Sequence, residues 1–287
     1  MRISLIIGVL LFAGAACSSK SDTPTAPTPS EGQATSYTAI GASDGIGFGG
    51  SAPCVPLALE CANGTGYVQI LNRRLKDGGR TVSHLNLSLP GAVLSRAIED
   101  LATSIGRRID TGNFIERQAP FVPLSTTQVT IFAGGNDANT IAQAARAGRG
   151  GSDVNGYVDA QVRQWGTDYE DLIRRIRDRS ANTRIVALNL PNLAAAPYVA
   201  SNPIDQKRLL QRIAVGLTDR VNALRSLNVI VVDLMCDARL LQGSHFAADG
   251  FHPNDAGYAI IAELTYPALA NGSAPAPSAT CLQRTIF

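Results

Sequence analysis

Apolar and polar residues alternate in blocks along most of this chain, and the blocks predict strands and helices in turn. Short runs rich in β-branched and apolar residues predict five strands, at residues 37–40, 81–87, 128–132, 183–189 and 228–233. The run at 128–132 is apolar on both faces, which is typical of a strand buried in a parallel sheet.

The stretches between the strands carry helical periodicity. Apolar residues recur every three or four positions over residues 158–176 and 210–224, and Asn202-Pro203 supplies a cap residue and a first-turn proline before the second run. Shorter helices are predicted over 66–75 and 91–105, and a last one over 255–269. This alternation predicts an α/β fold in which helices cover a five-stranded parallel sheet.

Composition narrows the class of protein. The chain has 287 residues, of which 45% are hydrophobic and 17% are charged, with a formal net charge of +2. That length suffices for one large domain, and the near-neutral balance gives no electrostatic case for a nucleic-acid partner.

The first residues resemble an export signal. Arg2 precedes an apolar run over 3–12 that is too short to span a bilayer, and Ala13-Gly-Ala-Ala-Cys17 follows. Small residues before a cysteine resemble a bacterial lipobox, which predicts lipidation of Cys17. Gly14 stands where lipoboxes usually carry leucine, so ordinary cleavage near Ala15 or Ala16 is the alternative.

Residues 18–35 are rich in Ser, Thr and Pro and are predicted to form a disordered tether. The chain therefore divides into a signal peptide (1–17), a tether (18–35) and a folded domain (36–287). Ser18, rather than Asp, after the lipidated cysteine resembles lipoproteins sent to the outer membrane. We expect an anchored protein there, or a periplasmic or secreted one if Cys17 is not lipidated.

Four cysteines remain when Cys17 is set aside, an even number in an exported chain. Cys54 and Cys61 are close in sequence and are predicted to form one disulfide, which leaves Cys236 with Cys281. Metal ligation is the rival interpretation, but the chain has no CxxC spacing and only three histidines.

The first predicted strand ends in Gly41-Ala-Ser43-Asp-Gly45. Glycines permit a sharp turn, so this stretch can hold one hydroxyl at the rim of a sheet. Ser43 is therefore the candidate nucleophile. Ordinary turn chemistry would also account for a serine among glycines.

Three other segments carry chemistry that a serine nucleophile needs. Asp249 and His252 are three positions apart, so a carboxylate and a base can meet within one turn. Gly91 follows the second predicted strand and Asn136 follows the third. The backbone N–H groups of Ser43 and Gly91 and the Asn136 amide can converge on an oxyanion.

The order Ser, Gly, Asn, His, each in its local context, resembles the SGNH hydrolase superfamily of GDSL esterases and lipases. Gly134-Gly-Asn-Asp137 and Asp249-x-x-His252-Pro carry the resemblance most specifically. It implies a flavodoxin-like three-layer α/β/α sandwich. It also implies that Ser43 is the nucleophile, His252 the base, Asp249 its orienting carboxylate, and Gly91 with Asn136 the oxyanion donors. The family commonly has Asp before the serine, whereas here Ala42 precedes it and Asp44 follows.

The resemblance implies a serine ester hydrolase that forms an acyl-enzyme on a short-chain acyl or O-acetyl carbohydrate ester, without cofactor or metal, as a monomer. A lipase or thioesterase for longer acyl chains would use the same residues. A binding module on the same fold is the alternative from another class.

Two loops and several apolar residues each have two interpretations. The loops over 45–64 and 148–155 are candidate pocket walls or surface decoration. Phe48, Phe251 and the apolar run over 55–59 can accept an acyl chain or pack within loops.

The other polar residues have simpler interpretations. His84 is predicted to be a sheet residue whose hydrogen bonds are satisfied. His245 lies in the loop before Asp249 and is a candidate for the lining of the substrate cleft, with a surface position as the alternative. Asp137, Asp233 and Asp237 are predicted to be structural caps.

Overall fold

The structure is a computed structural model and describes residues 34–55 and 61–287. The predicted signal peptide, Cys17 and nearly all of the predicted tether lie outside the described residues. Positions 56–59 of the apolar run also lie outside them.

Five strands form one parallel sheet in the order β2-β1-β3-β4-β5. The strands are β1 (Thr35–Gly41), β2 (Val82–Asn86), β3 (Gln128–Phe132), β4 (Arg184–Leu188) and β5 (Ile230–Val232). Each predicted strand is confirmed, with ends shifted by up to two residues. The order is that of a flavodoxin-like sheet, in which the chain reverses direction across the sheet between β1 and β3.

Helices cover both faces of this sheet, and every residue of β3 and of β4 is buried. The α-helices are α1 (Ser43–Ile46), α2 (Tyr67–Asp77), α3 (Arg96–Ser104), α4 (Phe114–Arg117), α5 (Gly135–Arg146), α6 (Val154–Arg179), α7 (Ile204–Ala223) and α8 (Asp255–Asn271). Helix α2 packs with α8, and α6 packs with α5 and α7. The α/β prediction is therefore confirmed.

Helix α3 begins later than predicted. Gly91 does not open it, because Gly91 has φ 78°, in the left-handed region, and belongs to a turn that precedes the first helical residue, Arg96. Helix α5 was not predicted from the sequence. Its buried face consists largely of alanines, which give a weak apolar stripe.

Both predicted disulfides are present. Cys54 pairs with Cys61 and Cys236 with Cys281. The second bond ties the segment after β5 to the C-terminal tail, whose last residue, Phe287, accepts a hydrogen bond from Gln211 of α7 at 2.7 Å. Within residues 34–55 and 61–287, no helix is long and apolar enough to cross a membrane.

Candidate active site

Ser43 follows β1 directly and stands at the start of the single-turn helix α1. The turn is fixed on both sides by buried amides. Gln118 accepts the Gly41 N–H at 3.0 Å and donates to the Gly41 carbonyl at 2.9 Å, and Asn86 donates to the Gly45 carbonyl at 2.8 Å. A Cβ at Gly45 would collide with the side chain of Ser88, so this close approach requires glycine.

The structure brings Ser43, His252 and Asp249 into one hydrogen-bonded chain. His252 Nε2 lies 2.8 Å from Ser43 Oγ, although the two residues are 209 positions apart. On the other side of the ring, His252 Nδ1 lies 2.6 Å from Asp249 Oδ2. A hydroxyl, an imidazole and a carboxylate connected in this order can activate the hydroxyl as a nucleophile.

Asp249 is held by its own loop. Its Oδ1 accepts the backbone N–H groups of Phe251 at 2.9 Å and of His252 at 3.0 Å. Burial acts to raise the pKa of Asp249, but the hydrogen bonds from the His252 side chain and from these two backbone groups lower it by more, so it lies below its usual range. The carboxylate is therefore charged at neutral pH and accepts the proton on His252 Nδ1, which leaves Nε2 free to take a proton from Ser43.

The three candidate oxyanion donors lie at neighbouring strand ends. Gly41 pairs with Phe132 across β1 and β3, so Ser43 and Asn136 follow adjacent strands where the sheet order reverses. Asn136 Nδ2 donates to the carbonyl of Ala92 at 3.1 Å, which places the amide beside the Gly91 turn; its second hydrogen has no acceptor within residues 34–55 and 61–287. Among the described residues, no acceptor pairs with the N–H of Ser43 or of Gly91.

Asp137 is not a helix cap, contrary to the prediction. The cap position of α5 is Gly134, and Asp137 lies inside the helix with its Oδ1 accepting the N–H of Leu94 at 2.8 Å. This hydrogen bond ties α5 to the segment that carries Gly91. Burial raises the pKa of Asp137 to about 6.

Arg107 makes a second connection to the start of α5. Its Nη1 donates to the carbonyl of Asn136 at 3.3 Å and to the hydroxyl of Thr140 at 2.6 Å. No pattern of residue types indicated these contacts of Arg107, Gln118 and Asn86, because their partners are distant along the chain.

A cavity of about 50 Å³ lies beside Asn136, at the carboxyl ends of β1, β3 and β4. Its walls are mainly apolar and include Phe132, Leu190, Leu193, Leu240, Phe246 and Phe251. His245 also lines it, and His245 Nδ1 bonds the Arg239 carbonyl at 2.7 Å. Asp44 contributes to the lining as well, and burial raises the pKa of its carboxyl.

The two predicted pocket walls behave differently. The loop after Ser43 reaches the site, because the Phe48 ring packs edge-on against the His252 ring with centroids 4.7 Å apart. The glycine-rich segment 148–155 runs from the α5–α6 connection into the first residues of α6 and does not line this cavity, which leaves surface decoration as its interpretation.

Two phenylalanines flank the base. Phe251, like Phe48, packs edge-on against the His252 ring, with ring centroids 4.9 Å apart. Phe48 is 48% exposed, and Val55 farther along the same loop is 76% exposed. Apolar rings therefore border the side of the site where His252 lies.

The remaining predicted residues are structural. The His84 ring stacks on Tyr37 with centroids 5.0 Å apart, and burial lowers the pKa of His84 to about 4. Asp237 caps a short 3₁₀ helix by accepting the Arg239 N–H at 2.9 Å. Asp233 accepts the N–H of Ser278 at 2.9 Å and so holds the C-terminal tail.

No group of three or more His, Cys, Asp or Glu side chains in the described part of the chain is arranged to hold a metal ion.

Comparison with known proteins identifies a family whose sequence pattern this chain shares. The sequence model of the GDSL-like lipase/acylhydrolase family matches residues 36–260. A comparison with curated protein sequences finds no match.

Solved structures resemble the fold at low sequence identity. The lipase Lip_vut3 from a goat rumen metagenome is 18% identical, with a TM-score of 0.56 over 82% of this chain and 97% of the lipase. A catalytic mutant of Axe2, an acetylxylan esterase from Geobacillus stearothermophilus, is 17% identical, with a TM-score of 0.52 over 87% of this chain and 99% of that one. At these identities the likeness concerns the fold.

Proposed function

The chain belongs to the GDSL-like lipase/acylhydrolase family and is a carboxylic ester hydrolase, and we propose that Ser43 is its nucleophile, acting on esters of short acyl groups. The observation that carries the proposal is the hydrogen-bonded chain from Ser43 Oγ through His252 to Asp249. It supplies a hydroxyl, a base and an orienting carboxylate in one line.

In acylation, Ser43 Oγ attacks the ester carbonyl carbon while its proton passes to His252 Nε2. The carbonyl oxygen becomes an oxyanion, which the N–H groups of Ser43 and Gly91 and the Asn136 amide stabilise. Asp249 stabilises the imidazolium that forms. Collapse of the intermediate breaks the bond to the alcohol oxygen, which takes the proton from His252 and leaves.

Deacylation repeats these steps with water. His252 Nε2 removes a proton from the water as its oxygen attacks the acyl carbon, and the same donors receive the new oxyanion. The bond from the acyl carbon to Ser43 Oγ then breaks, and the proton on His252 returns to that oxygen. The products are a carboxylic acid and the regenerated enzyme.

The size of the cavity supports a short acyl group. The cavity of about 50 Å³ is bordered by Asn136 and by Ala42 and Asp44, the two neighbours of Ser43 in the chain, so an acyl group bound at Ser43 can enter it. An acetyl or similarly small group suits a cavity of this volume. Phe48 borders His252, which protonates the alcohol, and its ring offers an apolar surface on which the alcohol part, such as the apolar face of a sugar ring, can pack.

Hydrolysis of p-nitrophenyl acetate, butyrate and octanoate by the purified protein, with its disulfides formed, tests the proposal. We expect the highest kcat/KM with acetate, since the cavity limits the acyl group. Ser43→Ala should remove turnover, and Asn136→Ala should lower kcat on the order of 10²-fold through loss of one oxyanion donor.

Both variants should keep the thermal midpoint of the wild type within a few degrees, because Ser43 and Asn136 are replaced by smaller residues at the rim of the sheet. Turnover that survives in Ser43→Ala would remove Ser43 from the mechanism. A preference for octanoate over acetate would contradict the short acyl group.

The proposed location of the protein is the outer membrane, through a lipid on Cys17. The support is the run of small residues before Cys17 and the Ser/Thr/Pro-rich segment after it. Cys17→Ser, expressed in a bacterial host, should move the protein from the membrane fraction to the soluble fraction. Equal partitioning of the variant and the wild type would favour ordinary secretion.

A further inference from the structure

The oxyanion donor Gly91 belongs to a tight turn of defined type. The Leu89 carbonyl accepts the Ala92 N–H at 3.1 Å, with Pro90 and Gly91 at the two central positions. Gly91 has φ 78°. Proline followed by a residue with positive φ is the signature of a type II turn.

The central peptide of this turn decides where the donor points. In type I and type II turns the central peptide unit faces opposite ways, and a glycine at the third position permits both. A flip from type II to type I would keep the Leu89 to Ala92 hydrogen bond but would turn the Gly91 N–H away. Neither Pro90 nor Gly91 has a side chain that can prevent the flip.

Thr111 bonds this peptide unit from outside the turn. Its hydroxyl donates to the Pro90 carbonyl at 2.8 Å. The Pro90 C=O and the Gly91 N–H lie on opposite edges of one planar trans peptide, so a bond that fixes the oxygen also fixes the direction of the N–H. The same bond polarises the peptide and strengthens the N–H as a donor.

The segment that carries Thr111 is itself held against the turn. The Val93 N–H donates to the Gly112 carbonyl at 3.3 Å, and the Phe114 N–H donates to the Val93 carbonyl at 2.9 Å. Asn113 pairs with Val93 in an isolated parallel bridge. The threonine hydroxyl therefore has a fixed position relative to Pro90.

We propose that Thr111 is a positioning residue of the active site, which holds the Pro90–Gly91 peptide in the orientation that aims the Gly91 N–H at the oxyanion. The inference rests on the role proposed above for Gly91. Thr111 does not touch the reacting atoms and acts through the peptide alone. Loss of the Thr111 hydroxyl therefore weakens stabilisation of the transition state more than it weakens substrate binding.

Thr111→Val tests this inference, because valine keeps the shape of threonine and removes the hydroxyl. With p-nitrophenyl acetate we expect kcat to fall roughly tenfold at an almost unchanged KM, the size of one lost hydrogen bond. Thr111→Ser restores the hydroxyl and should return kcat to within about twofold of the wild type. The matched control is Thr103→Val in α3, whose hydroxyl donates to the Glu99 carbonyl at 3.0 Å, and it should leave kcat unchanged.

A second readout reports on the oxyanion directly. A trifluoromethyl ketone forms a hemiketal with the nucleophilic serine, and its oxygen occupies the place of the oxyanion. The inhibition constant of the ketone should rise in Thr111→Val by the same factor as kcat falls. It should stay at the wild-type value in Thr103→Val.

The outcomes separate this inference from the proposed function. An active wild type with an equally active Thr111→Val overturns the role of Thr111 alone. A loss that Thr111→Ser does not repair also overturns it, since the hydroxyl would then be irrelevant. A wild type without ester hydrolysis overturns the proposed function and this inference together.

Discussion

The two halves of the candidate site are built in different ways. Asp249 and His252 lie within one short loop, where every hydrogen bond between Asp249 and its partners spans two or three positions. The oxyanion half depends on bonds between distant segments. These bonds span 21 positions from Thr111 to Pro90, 43 from Asp137 to Leu94, and 44 from Asn136 to Ala92.

Two aspartates illustrate the consequence of this difference. The side chain of Asp249 is 40% exposed, and hydrogen bonds outweigh burial to lower its pKa. Asp137 is 1% exposed, and burial raises its pKa to about 6. The Asp249 carboxylate bonds the His252 ring, whereas Asp137 bonds the backbone of the segment that carries Gly91, the candidate oxyanion donor.

The largest expected effect in this comparison comes from Asp249→Asn. Asparagine keeps the size of the side chain but replaces one carboxylate oxygen by an NH₂ group, which only donates. If its remaining oxygen accepts the two backbone N–H groups, no acceptor is left for the His252 Nδ1–H. His252 then loses the partner that fixes its tautomer and stabilises its charge. We expect kcat to fall on the order of 10³-fold, measured with p-nitrophenyl acetate.

The local construction of this loop gives the prediction a second part. Because the bonds of Asp249 stay within its own loop, the thermal midpoint of Asp249→Asn should fall by no more than a few degrees. A large fall in the midpoint would show that the loop supports the fold as well as the chemistry. A kcat within tenfold of the wild type would show that His252 is oriented by other groups.

The same contrast explains what could be predicted from the sequence. Spacing alone indicated that Asp249 and His252 meet, because a contact between residues three apart is a local property. Ser43 and Asn136 were predicted because each follows a strand, and the carboxyl ends of parallel strands share one edge of a sheet. The structure places all four at that edge.

The contacts that hold the oxyanion half had no signal in the sequence. Gln118 and Thr111 bond to backbone atoms of distant segments, and a side chain that bonds a backbone atom leaves no pattern of residue types. Asp137 looked like a cap because it stands near a helix start, yet its partner is the Leu94 N–H. The segment 148–155 was a candidate pocket wall, or surface decoration, because it follows the third strand; helix α5 lies between the two and carries the segment away from the strand end.

The smallest expected effect is on stability and comes from Asp137→Asn. The folded protein holds a proton on Asp137 up to about pH 6, whereas the ordinary pKa of the group is 3.8. Between these values the folded state binds more protons than the unfolded state, so the contribution of Asp137 to the free energy of unfolding falls as pH rises. The fall is on the order of 2–3 kcal/mol and is complete above about pH 7.

Asparagine at position 137 does not titrate, and its carbonyl oxygen can still accept the Leu94 N–H. Urea unfolding of both proteins at pH 4, 5, 6 and 7 isolates this one group, because every other titration is common to the two. The stability of Asp137→Asn relative to the wild type should rise with pH across this window. A difference that stays flat from pH 4 to 7 would mean that burial costs the Asp137 carboxylate nothing, and the contrast with Asp249 would then be one of position in the chain alone.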